Sequence, residues 1–260
     1  MEIVVCIKQV PDTVDVKIDP VTKNLVREGI TGVINPFDKN ALEEAIRLKE
    51  KQGAKVTVIS MGPPQFKESL REALAMGADE AVLLCDRAFA GADTLATAYV
   101  LNQAIKKIGQ PDIVFFGKHA VDADTGQVGP IVAEMLGLVQ ATYVTKVTVE
   151  EDKIQVERLL EDSKESLELK LPAVLTVAKE LNEPRYPTPL KIMKAARKEI
   201  AGWGKEDLGA DPAQIGMRGS PTQVLDIFSP QRSKEVKMLS GTLEEIAQDL
   251  FNHLRADKVL

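Results

Sequence analysis

Between Gly117 and Pro130 the chain reads Gly-Lys-His-Ala-Val-Asp-Ala-Asp-Thr-Gly-Gln-Val-Gly-Pro, a run of small and polar residues set between an apolar stretch and a helical one. Gly117 and Gly126 permit close approach of the backbone, and the small Ala123 and Thr125 leave room for a ligand. A helix opening near Thr125–Gln127 aims free amides and its positive dipole end at an anion, so phosphate binding is the chemistry suggested. The same composition suits a tight strand-to-helix turn with Asp and Thr as caps, and no unique spacing decides between the two.

Two further loops share this build. Arg87-Ala88-Phe89-Ala90-Gly91-Ala92-Asp93-Thr94 precedes a helical pattern, and Arg87 has the charge to pair with a diphosphate, although a solvated surface arginine is the commoner case. Asn35-Pro36-Phe37-Asp38 also precedes a helix, where Asp38 suits an N-cap before any ligand contact. The sequence has no Walker A loop, no Gly-x-Gly-x-x-Gly and no Ser-His-Asp or Cys-His grouping that spacing can support. Cys6 and Cys85 sit inside apolar runs and read as buried small hydrophobes. His119 and His253 stand alone, so no metal cluster is expected. The residues supply a candidate nucleotide pocket without catalytic or metal-binding side chains, and any chemistry there belongs to a cofactor.

Such loops need strands that end at them. Ile3–Ile7, Val56–Ile59, Ala81–Leu84 and Ile113–Phe116 are short apolar runs. Helical stripes separate them: Leu42, Ala45, Ile46 and Lys49, with Glu43 and Arg47 paired on the outside; Phe66, Leu70, Ala73 and Leu74, closed by Gly77; and Leu95, Ala98, Leu101, Ile105 and Ile108. Val128, Ile131, Val132 and Met135 form a fourth stripe. The alternation predicts an α/β fold over residues 1–198, an open, mostly parallel sheet with helices on both faces in the Rossmann-like, nucleotide-binding manner. Ligands collect beyond the carboxyl ends of such strands. Here those ends are Cys6-Ile7-Lys8, Ser60-Met61-Gly62, Cys85-Asp86-Arg87 and Gly117-Lys118-His119-Ala120. Val14–Asp19 alternates like an exposed strand, and Pro20 and Asn24 suggest a hairpin; Thr145–Val149 and Ile154–Leu159 suggest another across Glu151-Asp152-Lys153.

Residues 199–260 differ in character. From Gly202 through Pro230 periodicity is weak, so the stretch forms no core of its own. Yet Trp203, Ile215, Met217, Val224, Leu225, Ile227 and Phe228 are too apolar for a solvated tail, which points to an arm lying on a partner. Ile246, Leu250 and Leu254 predict a closing helix that opens at Thr242. Across 260 residues the net charge is −6 and only 4% of side chains are aromatic, which argues against a nucleic-acid binder. No apolar stretch approaches the ~18 residues needed to span a bilayer and the N-terminus carries no signal-like region, so a cytoplasmic protein without membrane insertion is expected.

Several of these segments, in order, resemble the beta subunit of electron transfer flavoproteins. The most specific are Asn182-Glu183-Pro184-Arg185-Tyr186, Ile192-Met193-Lys194-Ala195, and Val156-x-Arg158-x-x-Glu161-Asp162 running on to Pro172-Ala173-Val174-Leu175-Thr176. Ile7-Lys8-Gln9-Val10, Asn35-Pro36-Phe37 and Gly117-Lys118-x-Ala120-x-Asp122 are also similar. The resemblance implies a heterodimer with an alpha subunit, on which the 199–260 arm packs. In ordinary members the beta pocket holds AMP; in electron-bifurcating members it holds FAD, which accepts hydride from NADH. One electron then goes to ferredoxin or flavodoxin, and the other goes by way of the alpha-subunit FAD to a flavin-dependent dehydrogenase. The stretch Asp122–Pro130 resembles the bifurcating version, as do Phe89–Thr94 and Pro187-Thr188-Pro189. The resemblance carries the pocket to Cys6, Asn35, Phe37, Asp38 and Met61, and to Gly117, Lys118, His119, Ala120, Val121, Asp122, Ala123, Asp124, Thr125, Gly126, Gln127 and Val128. Arg87, Asp93 and Thr94 extend it toward the rest of FAD, and Asn182–Lys194 corresponds to the dehydrogenase-docking loop. A non-redox ATP-binding sensor of similar build is the competing reading.

Overall fold

A computed structural model describes residues 1–12, 32–225 and 236–260. The chain divides into two compact units, Met1–Leu225 and Asp226–Leu260. In the first, β1 (Glu2–Cys6), β2 (Gln9–Pro11) and β3 (Gly32–Ile34) lead into α1 (Pro36–Gln52), followed by β4 (Lys55–Met61), α2 (Lys67–Met76) and β5 (Glu80–Leu84). Then come α3 (Thr94–Ile108), β6 (Ile113–Gly117), α4 (Val128–Leu136), β7 (Val139–Val149), β8 (Lys153–Leu159) and β9 (Lys164–Lys170). β10 (Ala173–Val177), α5 (Pro189–Arg197) and β11 (Ala201–Trp203) complete the unit.

Among the described residues, nine strands form one sheet in the order β11-β5-β4-β1-β6-β10-β7-β8-β9. Every pairing from β11 to β7 is parallel, and β8 and β9 extend the sheet as antiparallel strands. The central strands are apolar along their whole length because both faces are covered: β6 and β10 are buried at every position. One core lies under α1 and α2 around Phe115, Leu42 and Leu70, and the other under α3 and α4 around Val114, Leu101 and Val132. The expected α/β fold, with its parallel sheet and covered faces, is therefore present.

All four expected strands and all four expected helical stripes appear, as does the hairpin across Glu151-Asp152-Lys153 between β7 and β8. The strand–hairpin reading over Val14–Asp19, Pro20 and Asn24 lies outside the described residues, although β2 and β3 pair antiparallel on either side of it. Glu43 is not on the outside. Only 2% of it is exposed, since chain from beyond β10 covers that face of α1.

The stretch after Lys198 also differs from the sequence reading. Ala201–Trp203 joins the sheet beside β5, and Leu208, Ala210 and Ile215 are buried in the core under α3 and α4. It needs no core of its own because it borrows an existing one. The compact unit accordingly runs to Leu225, past the 198/199 boundary that composition suggests. Ile227 and Phe228 lie outside the described residues.

The second unit contains α6 (Leu243–Ala256). Thr242 opens it, accepting the Glu245 N–H while the Glu245 carboxylate accepts the Thr242 N–H, a reciprocal cap that satisfies two orphan donors. No helix among the described residues is long and apolar enough to cross a membrane.

Candidate functional site

The chain steps from β1 to β4 to β5 in one direction, and α3 then carries it back to β6 on the other side of β1. The crevice of a doubly wound sheet opens where the connections diverge, here beyond the carboxyl ends of β1 and β6. Asp38, in the first turn of α1, closes the floor of this crevice. One carboxylate oxygen accepts the Lys8 N–H at 2.8 Å and the other accepts the Gly117 N–H at 3.0 Å, so a single side chain ties both strand ends together. Burial pushes the Asp38 carboxyl up to about 7, against the opposing effect of these donors and a side-chain hydrogen bond from Asn35. Burial, with Asp38 adding to it, also raises the Cys6 thiol, so Cys6 is a packed side chain and not a thiolate.

Asn35 fixes the next stretch. Its amide nitrogen donates to the His119 carbonyl at 2.8 Å, and its amide oxygen accepts the Val121 N–H at 3.2 Å. A Cβ on Gly117 would collide with Asp38 and Phe37, so glycine there serves close packing against α1. Beyond it the Ala120 carbonyl accepts the Ala123 and Asp124 N–H groups at 3.2 and 2.8 Å, and Asp124 and Gly126 take φ angles of 51° and 63°. The resulting turn leaves Val121, Asp122, Ala123, Asp124 and Thr125 exposed. His119 pairs with Asp124 at 2.8 Å and sets its ring edgewise on Phe37, and Lys8 pairs with Asp122 at 2.7 Å.

Two helices on the α3/α4 face begin here, and they differ. Asp93 caps α3, one oxygen accepting the Leu95 and Ala96 N–H groups at 3.0 Å. Its other oxygen accepts the N–H and hydroxyl of Thr222 at 3.1 and 2.7 Å, while the Ser220 hydroxyl accepts the Asp93 N–H. That carboxylate is fully engaged in holding the 220–222 segment. At α4, by contrast, no side chain caps the N-terminus at Gln127, so the Val128 and Gly129 amides keep their donor capacity, while Pro130 has no N–H to offer. The hydroxyl of Thr94 donates to the Gln127 side chain at 2.8 Å, which joins the loops after β5 and β6 into one ledge. Arg87 is exposed, and Met61 is half-buried at the end of β4.

The structure thus brings Cys6, Asn35, Phe37, Asp38 and the Gly117–Val128 loop to one crevice, with Thr94 adjoining. Sequence reasoning passed over two residues. Lys8 lay within a quoted run without being assigned to the pocket. Tyr143 stands at a bulge in β7 with φ 58°, and the Lys118 ammonium lies 5.9 Å from its ring and 4.8 Å from that of Phe37. Nothing in local sequence signals a bulge that carries a large aromatic residue at positive φ. What the arrangement can do is hold a phosphate-bearing ligand on the α4 amides and the loop, with Lys8 near the first turn of the loop.

This fold defines a doubly wound α/β protein with an open, mostly parallel sheet. A family model, "Electron transfer flavoprotein domain", matches residues 22–208. The chain is 55% identical to the electron transfer flavoprotein subunit beta of Thermoanaerobacterium thermosaccharolyticum, over all of both chains, and 56% identical to that of Clostridium acetobutylicum over 99% of each. It is also 47% identical, over all of both chains, to a caffeyl-CoA reductase-Etf complex subunit of Acetobacterium woodii. The chain belongs to the electron transfer flavoprotein family as a beta subunit, the partner of an alpha subunit in a heterodimer.

Proposed function

We propose that this beta subunit is of the electron-bifurcating kind and holds FAD in the crevice between β1 and β6, where ordinary members hold AMP. The observation that carries the site is the uncapped N-terminus of α4 beside an exposed loop of small residues at the point where the sheet's connections diverge. The diphosphate would lie on the α4 amides, and Asn35 and Asp38 would keep the surrounding backbone in shape without being consumed by ligand contacts. The choice of FAD over AMP is supported by the resemblance of Asp122–Pro130 to bifurcating members. It is also supported by the Thr94–Gln127 hydrogen bond, which makes the ledge continuous toward Arg87. A mononucleotide needs no such extension.

Bound there, FAD would supply hydride acceptance from NADH, with ferredoxin or flavodoxin and the alpha-subunit flavin as onward acceptors. The protein's part is to position the ring system and to keep the surrounding loop rigid. The caffeyl-CoA reductase-Etf name of one relative supports a reductase or dehydrogenase as the further partner, with Asn182–Lys194 as the segment that docks it. The second unit, with its amphipathic α6, would pack on the alpha subunit. Extracting the nucleotides of the purified heterodimer tests the proposal: two FAD molecules per heterodimer are expected, whereas AMP beside a single FAD would return the chain to the ordinary kind.

A further inference from the structure

Glu43 is a carboxylate buried on α1, yet it lies far along the helix from the crevice floor. Its partners are two arginines. Arg47, one turn on, donates to it at 2.9 Å, and Arg185 donates through its backbone N–H at 3.1 Å, Nε at 2.9 Å and Nη2 at 3.1 Å. The same guanidinium forks onto both oxygens of Glu50, two turns beyond Glu43, at 2.5 and 2.9 Å. Against the desolvation that burial brings, these hydrogen bonds hold the Glu43 carboxyl below the usual glutamate range. A second clasp adjoins the first, as Asn40 donates to the Asn182 carbonyl at 2.7 Å and Asn182 donates back to the Asn40 carbonyl at 3.0 Å.

Beyond this double clasp the chain presents apolar side chains to water. Tyr186 is 94% exposed, and Leu190, Ile192 and Met193 are each at least half exposed. The far end is pinned too, where Arg71 on α2 donates to the Ala195 and Ala196 carbonyls at 3.0 Å and closes α5. An exposed apolar patch held rigid at both ends is the signature of a preformed interface. Lys191, Lys194 and Arg197 flank it and are exposed, so the complementary surface is an apolar cleft edged by carboxylates.

We infer that Glu43, assisted by Glu50, is a positioning residue that holds Arg185 and thereby presents Tyr186–Met193 as a preformed docking surface for a partner flavoprotein dehydrogenase. The inference rests on the docking role given above to Asn182–Lys194 and adds what shapes that segment. Its physical content is entropic. Anchored, the segment binds without first being ordered; released, it must lose the freedom of several side chains on docking, which weakens association about tenfold.

The test uses the intact heterodimer and a purified flavin-dependent dehydrogenase with which the wild type exchanges electrons. Four variants are compared: Glu43→Gln, Arg185→Lys, Glu50→Gln and the double change Leu190→Ser, Met193→Ser. The expected result is that Glu43→Gln and Arg185→Lys raise the KM for the dehydrogenase about tenfold. Both should leave kcat and bound nucleotide unchanged, and both should speed amide exchange over 183–193 but not in the central strands. Glu50→Gln, on the exposed side of the fork, keeps the test open should the Glu43 variant fold poorly, and it moves KM in the same direction. If the Leu190/Met193 change raises KM while the three clasp variants do not, the positioning role is wrong and the docking role survives. If none of the four alters KM, the docking role itself is wrong.

Discussion

The Asp38 carboxylate offers the sharpest energetic test of how the crevice is built. Its folded-state value of about 7 lies above the ordinary 3.8. Below about pH 4 both folded and unfolded chains carry the proton, so Asp38 makes stability no different. Between about pH 4 and pH 7 the unfolded chain gives up its proton while the folded chain keeps it, so stability falls as pH rises. Above the folded value the whole penalty is present, about 4 kcal/mol for a difference of roughly three units. Asparagine never ionises, but its amide has one acceptor oxygen where Asp38 uses two, so D38N leaves either the Lys8 or the Gly117 N–H facing an NH2 at every pH. The variant is therefore expected to be the less stable protein in acid and to recover ground as pH rises. Urea unfolding of both proteins side by side should show their stability difference shifting by about 3 kcal/mol, in favour of the variant, between pH 5 and pH 8. A difference that stays constant over that range would refute the reasoning. It would mean that the Lys8 and Gly117 N–H groups outweigh burial and keep the carboxylate charged.

Two other changes probe the rest of the ledge. Asp93→Ala removes the cap of α3 and the anchor of Thr222 together. It should cost about 2 kcal/mol in thermal unfolding and hasten amide exchange over Ser220–Thr222, and unchanged exchange there would contradict the anchor. Gly117→Ala forces a Cβ against Asp38 and Phe37; a loss of about 2 kcal/mol and weaker retention of the bound nucleotide are expected, both readable by melting temperature and nucleotide extraction.

How much of this was legible in the sequence follows from the range of the interactions. β1, β4, β5 and β6 announce themselves as apolar runs followed by amphipathic helices, because both signals are local. β10 has an equally apolar run, Ala173–Val177, but its place between β6 and β7 is set by pairing with strands far away in sequence, as Ala173 opposes Ile113 and Val139. Trp203 and Ile215 were recognised as too apolar for solvent. That they pack on this chain's own β5 and α3 depends on tertiary contacts that no periodicity encodes. Glu43 shows the same limit in reverse, since i,i+4 spacing to Arg47 reads as a solvated pair until Arg185 is seen to cover it. In the candidate site the loop residues were readable from composition, and Asp38 was read correctly as belonging to the start of α1. Its bridging of two strand ends was not readable, because that role exists only once β1 and β6 lie side by side.

What the rim of this subunit carries decides between the two kinds of beta subunit. Heterodimer purified without added nucleotide, denatured, and resolved by chromatography with flavin and adenylate standards gives that answer in one step. Two FAD per heterodimer with AMP absent is the predicted outcome. One FAD with one AMP would contradict it and leave this chain a structural support for the flavin of its partner.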